Sequence, residues 1–241
     1  MMGDIPFAED GLIGSFGDEA GGDASSIAGF RWSTEDLCER FVIDLATAGG
    51  SPAATLGRTT VELRPASGFI RIALPEEVRS TSIADSLVGT SLMTQAFVVK
   101  QPDDRLHVDL HVNSATGVTV RSFAAGSPAR IVVDLVPASN GMPVAPPDQG
   151  PGVVLVVPDA GPSTYPLRVS GYARFTGQVQ AVLGPETPGR VAQTATVAGS
   201  GDAWGAFSMV FGAGPTGTVE LFVGEDGSGP LTGLSVLLDL R

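Results

Sequence analysis

The chain has 241 residues with 43% hydrophobic and 17% charged residues, a net charge of −12, 32 glycines and 18 prolines. This is a globular composition rich in turn formers, and its length favours two domains over one. Thirteen of the fourteen basic residues are arginines, Lys100 being the exception, and no run of them is long enough to neutralise a phosphate backbone, so nucleic acid is not an expected partner. No stretch of 18 apolar residues occurs, which leaves the chain without an expected membrane-spanning segment.

Residues 1 to 30 hold six acids and no base and are expected to form a flexible acidic segment. They lack the basic and apolar regions of a signal peptide, so if the protein is exported its signal or anchor is expected to lie outside this chain. The one cysteine, Cys38, has no partner for an intramolecular disulfide and sits among acids, which suits a core thiol better than a reactive one.

A first β domain is expected over residues 31–137. Arg40 to Leu45, Thr59 to Arg64, Phe69 to Leu74, Met93 to Lys100, Leu106 to Val112, Gly117 to Phe123 and Arg130 to Val136 are alternating or β-branched runs bounded by Gly and Pro, and they predict seven strands. Pro102-Asp103-Asp104 predicts a hairpin turn. Pro75 to Val88 is the one stretch with a helical signature: a proline first, Glu76 and Glu77 near the N-terminal dipole, then Val78, Ile83, Leu87 and Val88 on a loose 3.6 period.

Residues 138–151 form the expected linker, since Pro137 to Gly152 contains five prolines and three glycines. Beyond it, residues 152–241 repeat the strand pattern at Val153 to Val157, Leu167 to Ala173, Gln178 to Leu183, Val191 to Val197, Ala206 to Phe211, Thr218 to Val223 and Leu234 to Leu240. Seven short strands spaced by turns predict an immunoglobulin-like sandwich without a disulfide. The fold class is therefore all-β: two β-sandwich domains, the second immunoglobulin-like, with at most a short helix in the first.

Two resemblances add to this reading. Pro166 to Val179, with Val169, Gly171, Ala173, Phe175, Gly177 and Val179 in order, resembles the opening "V-x-G-x-A-x-x-F-E-G-x-V" of the Gmad2 immunoglobulin-like domain of bacterial spore-germination and envelope proteins; Thr176 replaces the family's acid. Trp204 to Phe207, Phe211, Gly217 to Phe222 and Glu225-Asp226-Gly227 resemble that family's closing strands and turn. Gly171 and Gly177 suit bends or bulges, and Phe175 and Phe207 suit core positions. The first domain, through Pro128 to Val136, resembles the AMIN-like domains of envelope proteins. Together the resemblances imply an extracytoplasmic protein of the bacterial envelope, or a secreted one, partnered by cell-wall polymer or another envelope protein.

The chain's only histidines lie in His107-Val108-Asp109-Leu110-His111, on one face of one strand. Positions i and i+4 of a strand are about 13 Å apart, too far to share one ion at about 2 Å, so the expectation is a solvated polar face and no metal site. No nucleophile motif accompanies either histidine, and the carboxylate pairs Glu76-Glu77 and Asp103-Asp104 read as solvated charge. Gly224 to Gly229 reads as a turn, lacking the lysine of a phosphate loop and the spaced acids of a calcium loop. Catalytic residues and cofactors are therefore not expected. Trp32, Tyr165, Tyr172 and Trp204, all the Trp and Tyr of the chain, remain as possible partner-binding residues. The sequence thus favours a non-catalytic binding or scaffolding module, with a small-ligand sensor or an accessory component of an enzyme or transporter, its site between the domains, as the alternative.

Overall fold

The computed structural model describes residues 5–36, 38–113, 117–138, 146–227 and 233–241. The chain divides into two units, Met1–Pro146 and Pro147–Arg241. Both are built from strands, and the described residues contain no α-helix.

Unit 1 contains β1 (Gly11–Phe16), β2 (Ser26–Glu35), β3 (Cys38–Ala46), β4 (Thr59–Arg64), β5 (Phe69–Ala73), β6 (Ser80–Thr81), β7 (Asp85–Leu87), β8 (Met93–Lys100), β9 (Leu106–Val112), β10 (Val118–Ala125) and β11 (Arg130–Pro137). One sheet runs β10-β11-β3-β2-β6, and a second set runs β1-β4-β5-β9-β8 with β7 on β8. Alternation decides which side chains meet. Val61 faces Ile72, which faces Val108, which faces Val98, and the neighbouring row is Leu63, Ile70, Leu110 and Ala96. Phe41, Ile43, Ile131, Val133 and Leu135 form the buried face of the first sheet. Each such side chain contributes about 1.5–3 kcal/mol through burial.

Two expectations are corrected in this unit. The acidic segment of residues 1–30 contributes β1, paired with β4, and the start of β2, paired with β3. Its glycines and acids concealed strands that lie near sheet margins, where few apolar residues are needed; Met1 to Asp4 lie outside the described residues. Pro75 to Val88 is a turn followed by β6 and β7. Ser80 and Thr81 instead pair in parallel with Ser26 and Ile27, and the buried residues Val78, Ala84 and Val88 do not share a helical stripe, Leu87 being exposed. The β8 to β9 hairpin turns through Asp104 in the left-handed region, at φ 66°.

Unit 2 contains β12 (Asp148–Gly150), β13 (Val153–Val157), β14 (Gly161–Ser163), β15 (Leu167–Ala173), β16 (Thr176–Leu183), β17 (Val191–Ala198), β18 (Trp204–Phe211), β19 (Gly217–Glu225) and β20 (Gly233–Leu240). The strand orders are β12-β13-β15-β18 and β14-β20-β19-β16-β17. Alternate residues of both sets, among them Leu155, Val169, Phe207, Phe211, Leu183 and Leu221, form one core, against which Phe175 packs from a partly buried position. Residues 139–145 of the expected linker lie outside the described residues, as do 228 and 229 of the turn at Gly224 to Gly229.

Gly171 marks the point where β15 crosses β13 at a register shift between Leu155 and Val157. A Cβ there would sit 1.9 Å from the Val154 carbonyl oxygen, whereas Gly212 has open space. Replacing Gly171 with Ala should destabilise the protein by about 1–3 kcal/mol, and Gly212→Ala should change stability little. Urea unfolding of the two variants checks this, and equal midpoints would contradict the close approach.

Candidate functional site

The strand carrying both histidines is internal, with β5 on one side and β8 on the other. All seven residues of β9 are buried, so the expected solvated face is corrected to an interior polar cluster. Register supplies the reason: Arg71 on β5 lies directly opposite Asp109. Its Nε donates to Oδ1 at 2.8 Å and its Nη2 to Oδ2 at 2.6 Å, a bidentate pairing that satisfies the buried carboxylate. His107 approaches the same carboxylate, with Nε2 3.5 Å from Oδ2, while its Nδ1 lies 3.3 Å from Gln101 Nε2. His111 packs 5.3 Å from Phe69 and 5.3 Å, edge-on, from Phe97.

Charge states follow from these neighbours. Burial pushes the Asp109 carboxyl up, but the Arg71 hydrogen bonds, the His107 contact and attraction to both groups outweigh it and hold the carboxyl well below its ordinary value. Burial pushes the His111 imidazole down to about 4, Asp109 opposing and Arg71 reinforcing the shift, so His111 is neutral at physiological pH. Within the cluster His107 Nε2 is buried without a hydrogen-bond partner, the Asp109 carboxylate lying 3.5 Å away. Among the described residues, no group of three or more His, Cys, Asp or Glu is placed to hold a metal ion.

The surface of the other sheet carries different chemistry. Arg31 of β2, Arg40 and Asp44 of β3, Asp134 and Arg130 of β11 and Arg121 of β10 share one face by strand parity and register. Asp134 is buried between two guanidiniums: Arg40 donates from Nε at 2.6 Å and Nη2 at 2.9 Å, and Arg121 from Nε at 2.9 Å. These bonds hold the Asp134 carboxyl below its ordinary value against the opposing effect of burial. Arg31 pairs with Asp44 through Nε at 2.5 Å and Nη2 at 2.7 Å, and Arg130 Nε lies 3.8 Å from the same carboxylate. Four arginines thus face two aspartates, and one positive charge remains in surplus even when Glu35, opposite Cys38 at the strand end, is counted. A groove of about 470 Å³ opens here, lined by Phe30, Arg31, Trp32, Ser33, Arg40 and Val42.

Of the four aromatic candidates, Trp32 is 39% exposed and lines this groove. Tyr165 is partly buried against the unit 2 core and donates its hydroxyl to the Pro215 carbonyl at 2.8 Å. Tyr172 and Trp204 are buried, Trp204 beneath the Arg174 guanidinium, and cannot act as exposed anchors. Cys38 is half-buried on the arginine-bearing face, and burial with the nearby Asp134 charge raises its thiol pKa over the opposing arginines, which keeps it protonated at neutral pH. Glu76 and Glu77 are exposed beside a cleft of about 420 Å³ that Arg58 and Arg105 also line. Asp103 pairs with Arg105 and Asp104 with Lys100.

The arginine face and the role of Glu39 escaped sequence reasoning. Glu39 is buried and accepts hydrogen bonds from Thr90 Oγ1, from Ser91 N at 2.9 Å and Oγ at 2.6 Å, and from Leu92 N at 3.1 Å, pinning the loop before β8. The available signal was a single charge in the middle of an apolar strand: Arg71 in Phe69 to Ala73, Asp109 in Leu106 to Val112, Asp134 in Ile131 to Val136. Such a charge marks a cross-strand ion pair when its strand is internal.

Arg71→Met leaves the Asp109 carboxylate buried without its main partner and should cost about 3–5 kcal/mol, much of which Asp109→Leu in the same chain should restore; chemical denaturation of the single and double variants measures both. The low His111 pKa carries a second consequence. Between about pH 6.5 and pH 4 the unfolded chain binds a proton at His111 that the folded chain does not, so stability should fall as pH falls through that window, by up to about 3 kcal/mol. Denaturation midpoints from pH 7 to pH 4 should show a shallower slope for His111→Leu than for the parent, and identical slopes would contradict a neutral buried imidazole.

No protein-family model matches this chain, and no curated protein matches it.

Proposed function

We propose that this chain is a non-catalytic binding or scaffolding module of the bacterial cell envelope, contacting cell-wall polymer or another envelope protein outside the cytoplasm. The observation that carries this reading is where the chemistry lies. The side chains able to move protons, His107, Asp109 and His111, are buried in a cluster built around Arg71 and aromatic packing, while Arg31, Ser33 and Arg40 reach solvent on one face of the β2-β3 pair and Trp32, on the other face of β2, is 39% exposed at the sheet margin. Such a surface binds through complementarity and needs no reacting group.

The backbone supports the same reading. β6 pairs only with Ser26 and Ile27, so Phe30 to Glu35 of β2 runs along a sheet margin with no neighbouring strand on that side among the described residues. In unit 2, β17 pairs with β16 alone among the described residues and carries no charged residue along Val191–Ala198. Margins of this kind offer backbone donors and acceptors to an extended partner. The resemblances to Gmad2 and AMIN-like domains supply the envelope context.

The full chain is expected to sediment with washed bacterial cell-wall sacculi, or to capture a specific protein from solubilised envelope after cross-linking. Trp32→Ala should weaken that association at least several-fold. Protein that stays in the supernatant with sacculi and captures nothing from envelope would contradict the proposal.

A further inference from the structure

We infer that β17 is the edge on which a second copy of this chain docks, the two molecules pairing antiparallel along Val191–Ala198 about a two-fold axis at Thr194. This gives the β17 margin, one of the two that the binding-module reading draws on, to the protein itself. The strand lacks every feature that ordinarily blocks an edge. It reads VAQTATVA, with no charge, proline or glycine, and it pairs with β16 along its whole length without a register shift. On its other side no strand lies alongside it among the described residues. A straight, uncharged margin of this length is a template for further pairing, and proteins normally interrupt one with charge, proline or a bulge. Other margins of this chain carry those devices. β1 has a register shift between Leu12 and Gly14, the free length of β2 carries Arg31 and Glu35, β12 carries Asp148 and β14 carries Pro162.

The side chains of β17 select the partner. Val179, Ala181 and Leu183 of β16 lie in the unit 2 core, and Ala195, Gln193 and Val191 stand opposite them, so the odd positions of β17 face inward and Ala192, Thr194 and Thr196 face outward. Those three outward residues are exposed and small, and Gln193 is exposed too, which leaves the edge open to an approaching strand. A strand that extends the sheet must set inward residues opposite inward residues. Centring the two-fold on Thr194 does so: Val191 of one copy faces Val197 of the other, Ala192 faces Thr196, Gln193 faces Ala195, and the two Thr194 side chains face each other. Val191 and Ala195, only partly buried against the core, gain cover from Val197 and Gln193 of the copy, and facing threonines are a favourable cross-strand pair.

Charge and symmetry favour the same occupant. The net charge of −12 opposes self-association over the surface as a whole, but Arg190, just before the strand, falls opposite Ala198 of the copy, so no like charges meet along the ladder. An unrelated extended peptide would find backbone groups here but no charged or aromatic side chain on β17 to select it. The two-fold pairing uses the same edge twice and closes, leaving neither copy with a free β17 to recruit a third.

Sedimentation velocity of the full chain over a range of micromolar concentrations should show a dimer in reversible exchange with monomer. Thr194→Lys sets two ammonium groups against each other at the axis and should sediment as a monomer with an unchanged circular dichroism spectrum. Disulfide trapping in a Cys38→Ser background tests the register. Thr194→Cys should form a cross-linked dimer on mild oxidation, whereas Ala192→Cys, also exposed on the outward side but about 13 Å along the strand from its own copy, should not. A parent chain that stays monomeric throughout, a Thr194→Lys variant that still dimerises, or cross-linking as fast at position 192 as at 194 would each overturn the pairing. Capture of a different protein's strand on β17 by a monomeric chain would overturn it as well. A monomeric parent that nevertheless sediments with sacculi would remove the dimer and leave the envelope module standing, and a dimeric parent that ignores the envelope would do the reverse.

Discussion

Each of the two aspartates buried within sheets of this all-β protein has an arginine partner from a neighbouring strand, whereas the buried Glu39 takes N–H and hydroxyl donors from the loop before β8. Arg71 supplies that partner to Asp109 from the adjacent strand, and Arg40 and Arg121 supply it to Asp134 from both sides. Each pairing holds only in one register. A slip of one residue would turn Arg71 to the apolar face beside Ile70 and Ile72 and leave Asp109 uncompensated. These ion pairs therefore specify the alignment of β5 with β9 on one side and of β3, β11 and β10 on the other, while the valine, isoleucine and leucine rows supply most of the favourable burial.

The same pairing rule has different consequences on the two sheets of unit 1. Around β9 the polar residues are sealed, and a neutral His111 fills space between two phenylalanine rings much as an apolar side chain would. On the β2-β3-β11-β10 face, Asp134 is buried but the arginines above it reach solvent, so the ion pairs end in a layer of exposed, pre-oriented guanidiniums. One pattern thus yields a sealed polar interior on one sheet and solvent-reaching arginines on the other. The distinction is burial of the donor, with the Arg71 side chain 25% exposed against 58% for Arg31 and 42% for Arg40.

Most strands were legible because period-2 alternation and turn residues act locally. Thr59–Arg64, Met93–Lys100, Val153–Val157 and Leu167–Ala173 run as their sequence predicts. What could not be read was which polar face is wet. His107, Asp109 and His111 alternate with apolar residues as a solvated face does, and the residue that changes their meaning, Arg71, lies 38 positions away. Arg40 and Asp134 are 94 apart, so the arginine-rich surface has no signature in any short window. The margin strands β1 and β2 were obscured for another reason: their glycines and acids resemble a spacer, and only pairing with β4 and β3 reveals them. Trp32 could be singled out by type, but its groove depends on neighbours supplied by β3.

The central claim is that recognition takes place on the β2-β3 face and that the histidine strand is structural. Backbone amide chemical-shift mapping of the full chain during titration with soluble cell-wall polymer tests both halves at once. The account expects perturbations confined to residues 30–33 and 40–42 and their immediate neighbours, with His107 to His111 unmoved. Perturbations centred on His107 to His111, or on Tyr172 and Trp204, with the β2-β3 face silent, would contradict it.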